Sequence, residues 1–305
     1  MKILNIGSLN IDKVYRVERI AMEGETILSS LYEEHLGGKG LNQSAALKAA
    51  GGNVWHCGAI GCDGIILKDF LDKCGVNTDF IKIVGETSGH AVIQVDKNGK
   101  NCIIVCGGAN QKIEESFIKN TLENFSSGDF LLLQNEISNA PAAILEAKRK
   151  QMKVVFNPSP ITAELFEYPL EFVDIFILNE TEGKALSKCA SGFEDIFKSL
   201  CFKYPKSIIV LTLGEKGVLF KSGGKERLQE AYKVKAVDTT AAGDSFCGYF
   251  VSAIAQNFPI EKSILYACAA AALTVSVKGA AESIPNLKDT EKFLKSVSGK
   301  GLNAE

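Results

Sequence analysis

The chain has 305 residues, 46% of them hydrophobic and 23% charged: enough for one large α/β domain or two ordinary ones, and too apolar for wholesale disorder. Lysine and arginine number 34 against 36 acidic residues, so no global field exists to hold a nucleic-acid backbone or an anionic membrane, and a small-molecule partner is expected instead. Nine cysteines without a C-x-x-C pair, and three histidines of which His56 comes nearest to a cluster with Cys57 and Cys62, read as reduced thiols of a cytoplasmic protein rather than as disulfides or a structural zinc site.

The first apolar run is interrupted at Asn5 and is too short for a signal peptide, and no later stretch reaches membrane-spanning length. After it, Gly7-Ser-Leu-Asn-Ile-Asp12 sets Asn10 and Asp12 two apart. On a continuing strand they point the same way and suit vicinal hydroxyls, although Asn and Asp at such a place also commonly form a simple turn. Residues 11–36 mix charged and apolar residues without a helical period. Leu36-Gly-Gly-Lys39-Gly-Leu-Asn42-Gln43 then opens a helix over Leu41–Ala50 that Gly51-Gly52 ends. This is not a Walker A loop, because Gly40 follows Lys39 where that loop requires serine or threonine; its glycines allow close approach of a polyol, and Asn42 can both donate and accept, the plainer alternative being a flexible hinge. Next, His90–Asp96 and Asn101–Cys106 flank an Asn98-Gly99 turn signal, and together with residues 11–36 predict a small antiparallel appendage. Apolar residues fall on both faces of that hairpin, so one face needs a cover, for which a second copy of the chain is a candidate.

From about residue 110 short apolar runs alternate with helix-length amphipathic stretches: Phe130–Gln134, Ala140–Gln151, Lys153–Asn157, Asp174–Asn179, Thr181–Cys189 and Ser207–Leu213. The alternation predicts βαβ units and a mostly parallel sheet, with ligands beyond the carboxyl ends of its strands, where Asn10, Gln134 to Glu136, Asn157, Asn179 and Thr212 stand. Gly214 and Gly217 permit a tight turn after the last of these strands. Residues 237–246, Val-Asp-Thr-Thr-Ala-Ala-Gly-Asp-Ser-Phe, put Asp244 after three small residues and before the apolar run Phe246–Ile254. If a helix begins near Gly243, the amides of Ala241, Ala242 and Gly243 converge where the helix dipole favours an anion, and Asp244 stands beside them as a base for an attacking hydroxyl. Taken alone, such an aspartate is more often a helix cap. Ala267–Ala272 suits a closely packed helix, and residues 299–305 a frayed tail.

Four separated motifs settle the reading. Gly37-Gly38-Lys39-Gly40-x-Asn42-Gln43, Asn179-Glu180-Thr181-Glu182, Thr212-Leu213-Gly214-Glu215-Lys216-Gly217 and Asp238-Thr239-Thr240-Ala241-Ala242-Gly243-Asp244 together resemble the ribokinase family of sugar kinases, also called the phosphofructokinase B family, in the same order from about residue 3 to 297. The resemblance implies a three-layer α/β/α core with a mostly parallel central sheet (residues 1–10, 37–86 and 107–298) and a small β-sheet lid (11–36 and 87–106), often dimeric through the lids. It implies transfer of the ATP γ-phosphoryl group to a sugar hydroxyl. Carried over by motif, Asn10, Asp12, Gly38, Lys39, Asn42 and Glu136 line the sugar, with Asp244 as base and Ala241, Ala242 and Gly243 as the anion hole. Asn179 and Glu182 arrange phosphates and Mg²⁺, the latter indirectly. Thr212, Gly214, Gly217, Gly243 and Cys268 border the nucleotide, Cys268 standing where some relatives have a polar residue. A K⁺ site is expected at Asp238, Thr240, Thr274, Val277, Gly279 and Ser283, mostly through backbone carbonyls. The alternatives are a kinase of another neutral sugar or of a nucleoside, and a sugar or nucleotide sensor that has lost the chemistry; one lysine among several carboxylates and amides argues against a phosphosugar, and an intact Asp244 argues against a sensor.

Overall fold

The computed structural model describes residues 1–298; the expected tail at 299–305 lies outside the described residues. In chain order the strands are β1 Lys2–Ile6, β2 Asn10–Val17, β3 Ser29–Gly37, β4 Asn53–Ile60, β5 Asn77–Ile83, β6 Gly89–Val95, β7 Asn101–Cys106, β8 Phe130–Gln134, β9 Lys153–Asn157, β10 Ile175–Asn179, β11 Ile208–Thr212, β12 Val218–Ser222 and β13 Lys225–Gln229. The α-helices are α1 Lys39–Ala49, α2 Ile65–Cys74, α3 Glu115–Leu122, α4 Ala140–Arg149, α5 Glu180–Ser187, α6 Phe193–Lys203, α7 Ala242–Ala255, α8 Ile260–Val275 and α9 Leu287–Ser298.

Among the described residues the strands form two sheets. The larger has the order β13-β12-β11-β10-β9-β8-β1-β4-β5; it is parallel from β5 to β11, with β12 and β13 antiparallel at one edge. Its central strands are buried along their whole length, as in Phe130-Leu-Leu-Leu-Gln134, because both faces are covered. Alternate residues feed two apolar layers. Leu4, Ile6, Leu131 and Leu133 pack with Ile118, Ile144, Leu186 and Phe197 of α3 to α6, whereas Ile3, Phe130 and Leu132 pack with Leu47, Leu67, Phe250 and Ile264 of α1, α2, α7 and α8. This is the expected three-layer α/β/α arrangement.

The smaller sheet has the order β3-β2-β6-β7. The expectation of an antiparallel appendage is corrected here: β2 and β6 run parallel, and the outer pairings are antiparallel. Two separate excursions from the core, each a pair of antiparallel strands, meet through their first strands, which leave the large sheet in the same direction. The second excursion turns at Gly99, with a φ of 79°, where Asp96 Oδ1 accepts from the amides of Asn98 and Lys100.

Element ends differ from the sequence reading by one or two residues. Helix α1 starts at Lys39 rather than Leu41, directly after Gly38, whose φ of 94° places it outside the helix. Helix α4 stops short of Gln151, which has a φ of 58°.

Two helices, α1 and α7, position the polar residues at the carboxyl ends of the strands. α7 lies parallel to α1 so closely that a methyl group on Gly248 would collide with Ala46, and Ser252 Oγ donates to the Ala50 carbonyl at 3.2 Å. With the same spacing one turn earlier, Asp244 meets Asn42. Overpacking this seam is expected to cost about 1–3 kcal/mol: Gly248→Val should lower the melting temperature in a thermal denaturation scan, and more than Ala253→Val on the same helix.

Candidate active site

The switch point of the large sheet lies between β1 and β8, from which the chain continues outward on opposite sides, and open α/β sheets bind ligands there. Polar residues follow both strands. Ser8 Oγ, after β1, is hydrogen-bonded to Glu136 Oε2, after β8. Lys39 Nζ pairs with Glu136 Oε1 at 3.1 Å. The start of α1 reaches this point because Gly40 lies on Ser8, leaving no room for a side chain, and Leu41 N donates to the Ser8 carbonyl at 3.0 Å.

Asn10 and Asp12 open β2 and share one face, as expected. Asn10 Oδ1 accepts from Asn110 Nδ2 at 2.7 Å, which leaves its own Nδ2 as a donor without a partner among the described residues. The Asp12 carboxylate likewise has no hydrogen-bond partner among the described residues; Gly37, beside it, leaves the space it occupies. Burial, and then the Glu136 charge, push the Asp12 carboxyl up to about 6, against the pull of His35 and Lys39.

Asp244 sits in the first turn of α7 with both oxygens held. Oδ2 accepts from Asn42 Nδ2 and Oδ1 from Gln43 Nε2, each at 2.9 Å. Burial raises its pKa, opposed by Lys39 and by these two amides. Burial also works against the Lys39 ammonium, but Glu136 and Asp244 outweigh it and hold it above its ordinary value. Asn42 Oδ1 is buried and has no hydrogen-bond partner among the described residues.

The helix begins at Ala242, with Ala241 as N-cap at a φ of 58° and no side-chain cap. One detail of the expected anion hole is corrected. Ala242 N bonds the Thr239 carbonyl at 3.4 Å and Ser245 N the Ala241 carbonyl at 2.8 Å, so the amides without partners among the described residues are those of Ala241, Gly243 and Asp244. Left-handed Ala241 turns its neighbour's amide back into the loop and frees its own. Gly243 has open space around its Cα.

The remaining expected residues are placed with different emphasis. Asn179 and Glu182 form a capping box at the start of α5, with Glu182 buried and its pKa raised by that burial. Thr212 Oγ1 turns into the sheet to the Leu178 carbonyl at 3.3 Å. Gly214 and Gly217 have φ values of 59° and 105° in the turn after β11, as that turn requires. Cys268 is not at a polar surface: it lies in the apolar layer under α8, and burial pushes its thiol up to about 12.

Asp238 ties the expected cation-binding loops together. Its Oδ1 accepts from Thr240 N and Oγ1, and its Oδ2 from Gly279 N at 3.1 Å. The Thr274 hydroxyl is taken by the Ala270 carbonyl and Ser245, and the Ser283 hydroxyl by the carbonyls of Gly279 and Ala280, while the Val277 side chain is exposed. The side chains thus shape these loops, and among the described residues the carbonyls of Asp238, Thr240 and Val277 accept no backbone hydrogen bond.

Sequence reasoning gave no specific role to Ser8, Asn110, Gln43, Gln134 or Asn5, all buried polar residues around this cluster. A polar residue inside an otherwise apolar strand, as at Asn5, was the available signal. Concavities of about 520 Å³ at the outer end of the small sheet (Arg16, Leu28, Lys97) and about 390 Å³ beside β13 (Arg227, Leu228, Glu261) include none of the expected residues; convergent polar chemistry, not cavity size, locates the site.

The family model described as pfkB family carbohydrate kinase matches residues 1–287. A ribokinase of Haemophilus influenzae is 36% identical over 297 residues, covering 95% of this chain and 97% of that protein. Among solved structures, ribokinase from Cryptococcus neoformans in complex with ADP superimposes with a TM-score of 0.84 at 33% identity, over 95% of this chain and 99% of that one. Arabidopsis thaliana ribokinase complexed with ribose and ATP does so with a TM-score of 0.84 at 30% identity, over 96% and 98%.

Asp12 offers a test of the local electrostatics without any ligand. Its folded pKa, about 6, stands above the ordinary carboxyl value of 3.8, so the associated stability is present below about pH 4 and is lost as pH rises through about 6. Asp12→Asn is therefore expected to be more stable than the parent at pH 8, by about 1–3 kcal/mol after allowance for solvent screening, with the gap closing near pH 4 when both are melted across that range.

Proposed function

The chain belongs to the pfkB family of carbohydrate kinases, whose model spans residues 1–287, and on that premise we propose that it is a ribokinase, transferring the γ-phosphoryl group of ATP to the 5-hydroxyl of D-ribose with Asp244 as the base. That it is an ATP-dependent sugar kinase follows from the family and from relatives alike over nearly the whole chain. The choice of ribose rests on those relatives being ribokinases, one of them with ribose and ATP bound. The observation that carries the local reading is a set of polar atoms without hydrogen-bond partners among the described residues: the donor Asn10 Nδ2, the carboxylate of Asp12, which feels Glu136 and Lys39, and the buried acceptor Asn42 Oδ1, whose amide nitrogen is on Asp244. Mixed donors and acceptors of this kind recognise hydroxyls, and buried ones demand a partner.

In this reading the sugar lies against Asn10, Asp12, Gly38, Lys39, Asn42 and Glu136, with its primary hydroxyl on Asp244. Asn42 and Gln43 hold the carboxylate as an acceptor, and its raised pKa brings it nearer to the alcohol proton it must take. The free amides at Ala241, Gly243 and Asp244, at the positive end of α7, balance charge on the moving phosphoryl group. Thr212 to Gly217 border the nucleotide. Mg²⁺ would neutralise the leaving phosphates, with Glu182, buried at the start of α5, as the residue that would hold it indirectly. K⁺ is assigned to the carbonyls of the 238–240 and 274–283 loops. The small sheet, residues 11–36 and 87–106, acts as the lid. Its β7 exposes Ile103, Ile104 and Val105, at 51%, 63% and 64%, an apolar edge suited to a second copy. The nine cysteines are free thiols, in keeping with a reducing cytoplasm.

Asp244→Asn is expected to lower kcat by about two to four orders of magnitude while the circular dichroism spectrum is unchanged. ADP release measured against a panel of pentoses, hexoses and nucleosides, with and without K⁺, should be fastest with ribose and K⁺; binding without ADP release would point to a sensor, and faster turnover of another acceptor would replace ribose. Ile104→Glu is expected to shift a dimer to monomer in sedimentation velocity.

A further inference from the structure

We propose that Gln43 is a positioning residue for the Asp244 carboxylate, its amide locked in one sense by a buried hydrogen-bond chain pinned at two backbone carbonyls. The proposal rests on the reading of Asp244 as the base.

The chain has two arms. On one, Asn157 Nδ2 donates to the Ile177 carbonyl at 3.0 Å, an oxygen that can only accept. Asn157 must therefore turn Oδ1 toward Gln43, whose Nε2 donates to it at 3.0 Å. On the other, Asn5 Nδ2 donates to the Gly40 carbonyl at 2.8 Å, which turns Asn5 Oδ1 toward Gln134. Gln134 Nε2 then spends its two hydrogens on Asn5 Oδ1 at 3.0 Å and Gln43 Oε1 at 2.7 Å. The Cys247 thiol also donates to Gln43 Oε1, at 3.5 Å. Both arms reach the same result: Gln43 Oε1 faces donors, and Gln43 Nε2 faces the acceptors Asn157 Oδ1 and Asp244 Oδ1.

Reversing Gln43 would set nitrogen against the Gln134 nitrogen and oxygen against a carboxylate and an amide oxygen. Reversing the neighbours as well would set oxygen against the fixed carbonyls of Ile177 and Gly40. Gln43, Gln134 and Asn5 are fully buried, so water cannot repair either arrangement. Gln134 Oε1 is left buried without a hydrogen-bond partner among the described residues, a cost that the chain carries rather than reverse the amide. The lock secures a donor aimed at Asp244 at all times, in the sugar-free enzyme as well as in the complex. Asn42, the other donor to Asp244, has its remaining oxygen free and so lacks any such lock.

The test compares kcat, sugar KM and the pH–rate profile of Gln43→Glu, Gln43→Met and Asp244→Asn, with folding checked by thermal melts. Gln43→Glu keeps the shape and replaces the donor by oxygen; Gln43→Met keeps the volume and removes it. The other titratable groups facing Asp244, which are Lys39 on α1, Glu136 beyond β8 and Cys247 on α7, are the same in all three. With Asp244→Asn nearly inactive, Gln43→Glu and Gln43→Met are expected to lose about 10- to 100-fold in kcat, to move the acid limb of the profile to higher pH, Glu more than Met, and to change sugar KM less than about threefold. Should the Glu variant fail to fold, the Met variant decides. Folded variants with parental kcat and pH profile, or a loss of kcat with an unmoved acid limb, would overturn the positioning role while leaving the base in place. An active Asp244→Asn enzyme would instead remove the premise.

Discussion

The seam between α1 and α7 is the constraint on which the site is built. Asn42, Ala46 and Ala50 on one helix face Asp244, Gly248 and Ser252 on the other, one turn apart at each step. Small residues at the two inner levels let the backbones approach, and the parallel direction then brings both amino-terminal ends to the same place. One of these ends carries Lys39 and Asn42, which are assigned to the alcohol in the proposed reading; the other carries Asp244 and the amides without partners among the described residues, which are assigned there to the phosphoryl group. Two reactants that must meet are thus addressed from one rigid element pair, and effective concentration of this kind accounts for a large part of a transfer reaction's barrier. A third contact, Gly40 against Ser8, fixes the pair to the end of β1, so the seam cannot slide relative to the sheet.

The charge distribution changes sign across this short distance. Lys39 stands among Glu136, Asp244 and Glu182, all of which hold its proton more tightly, and Asp12 feels both Glu136 and Lys39. The side assigned to the sugar in the proposed reading therefore carries an excess of negative charge in a partly desolvated place, which a neutral polyol would tolerate and a phosphorylated acceptor would not. Burial is the leading influence on Asp12, Asp244 and Glu182 alike, and it raises all three. In the proposed reading, that suits Asp244 as a base, and at Asp12 it is a cost that a sugar would relieve by giving hydroxyl donors to a carboxylate without a hydrogen-bond partner among the described residues. On the other side of Asp244 the sign reverses, because the amides of the first turn and the helix dipole are positive.

Much of the fold was legible because the large sheet is buried on both faces, which makes runs such as Leu131 to Leu133 continuous and apolar. The Asn98-Gly99 turn was legible for a local reason, a positive φ that glycine accepts. The parallel pairing of β2 with β6 was not, since it joins segments far apart in the chain and leaves no local mark. Asp244 and Asn42 were expected from their motifs, and the structure joins them by a hydrogen bond, but which amides at the start of α7 lack partners among the described residues turned on Ala241 adopting a left-handed φ of 58°, which no alanine announces. The amides behind the site were harder still. Asn5, Gln43, Gln134 and Asn157 are each unremarkable alone, and only the three-dimensional chain of donors and acceptors gives them a common direction. Cys268 shows the opposite failure, a motif position whose side chain the core absorbs.

In the proposed reading, recognition and chemistry occupy different parts of the molecule and touch at Asn42. Asn10 and Asp12 belong to β2 and Glu136 follows β8, whereas Asp244 and Gln43 belong to the helix seam. Asn42 belongs to both. Its amide nitrogen is committed to Asp244 Oδ2 at 2.9 Å, and its oxygen is buried and unpartnered. A hydroxyl that donates to that oxygen satisfies the orphan and, by fixing the amide's sense, completes on Oδ2 what Gln43 already holds on Oδ1. An acceptor lacking a hydroxyl at that point would leave the oxygen buried alone, at a cost of about 1–3 kcal/mol, and would leave one of the carboxylate's two donors free to turn. On the proposed reading, selectivity at Asn42 would be expressed in turnover as well as in affinity, since the same contact that recognises the sugar would steady the group that deprotonates it.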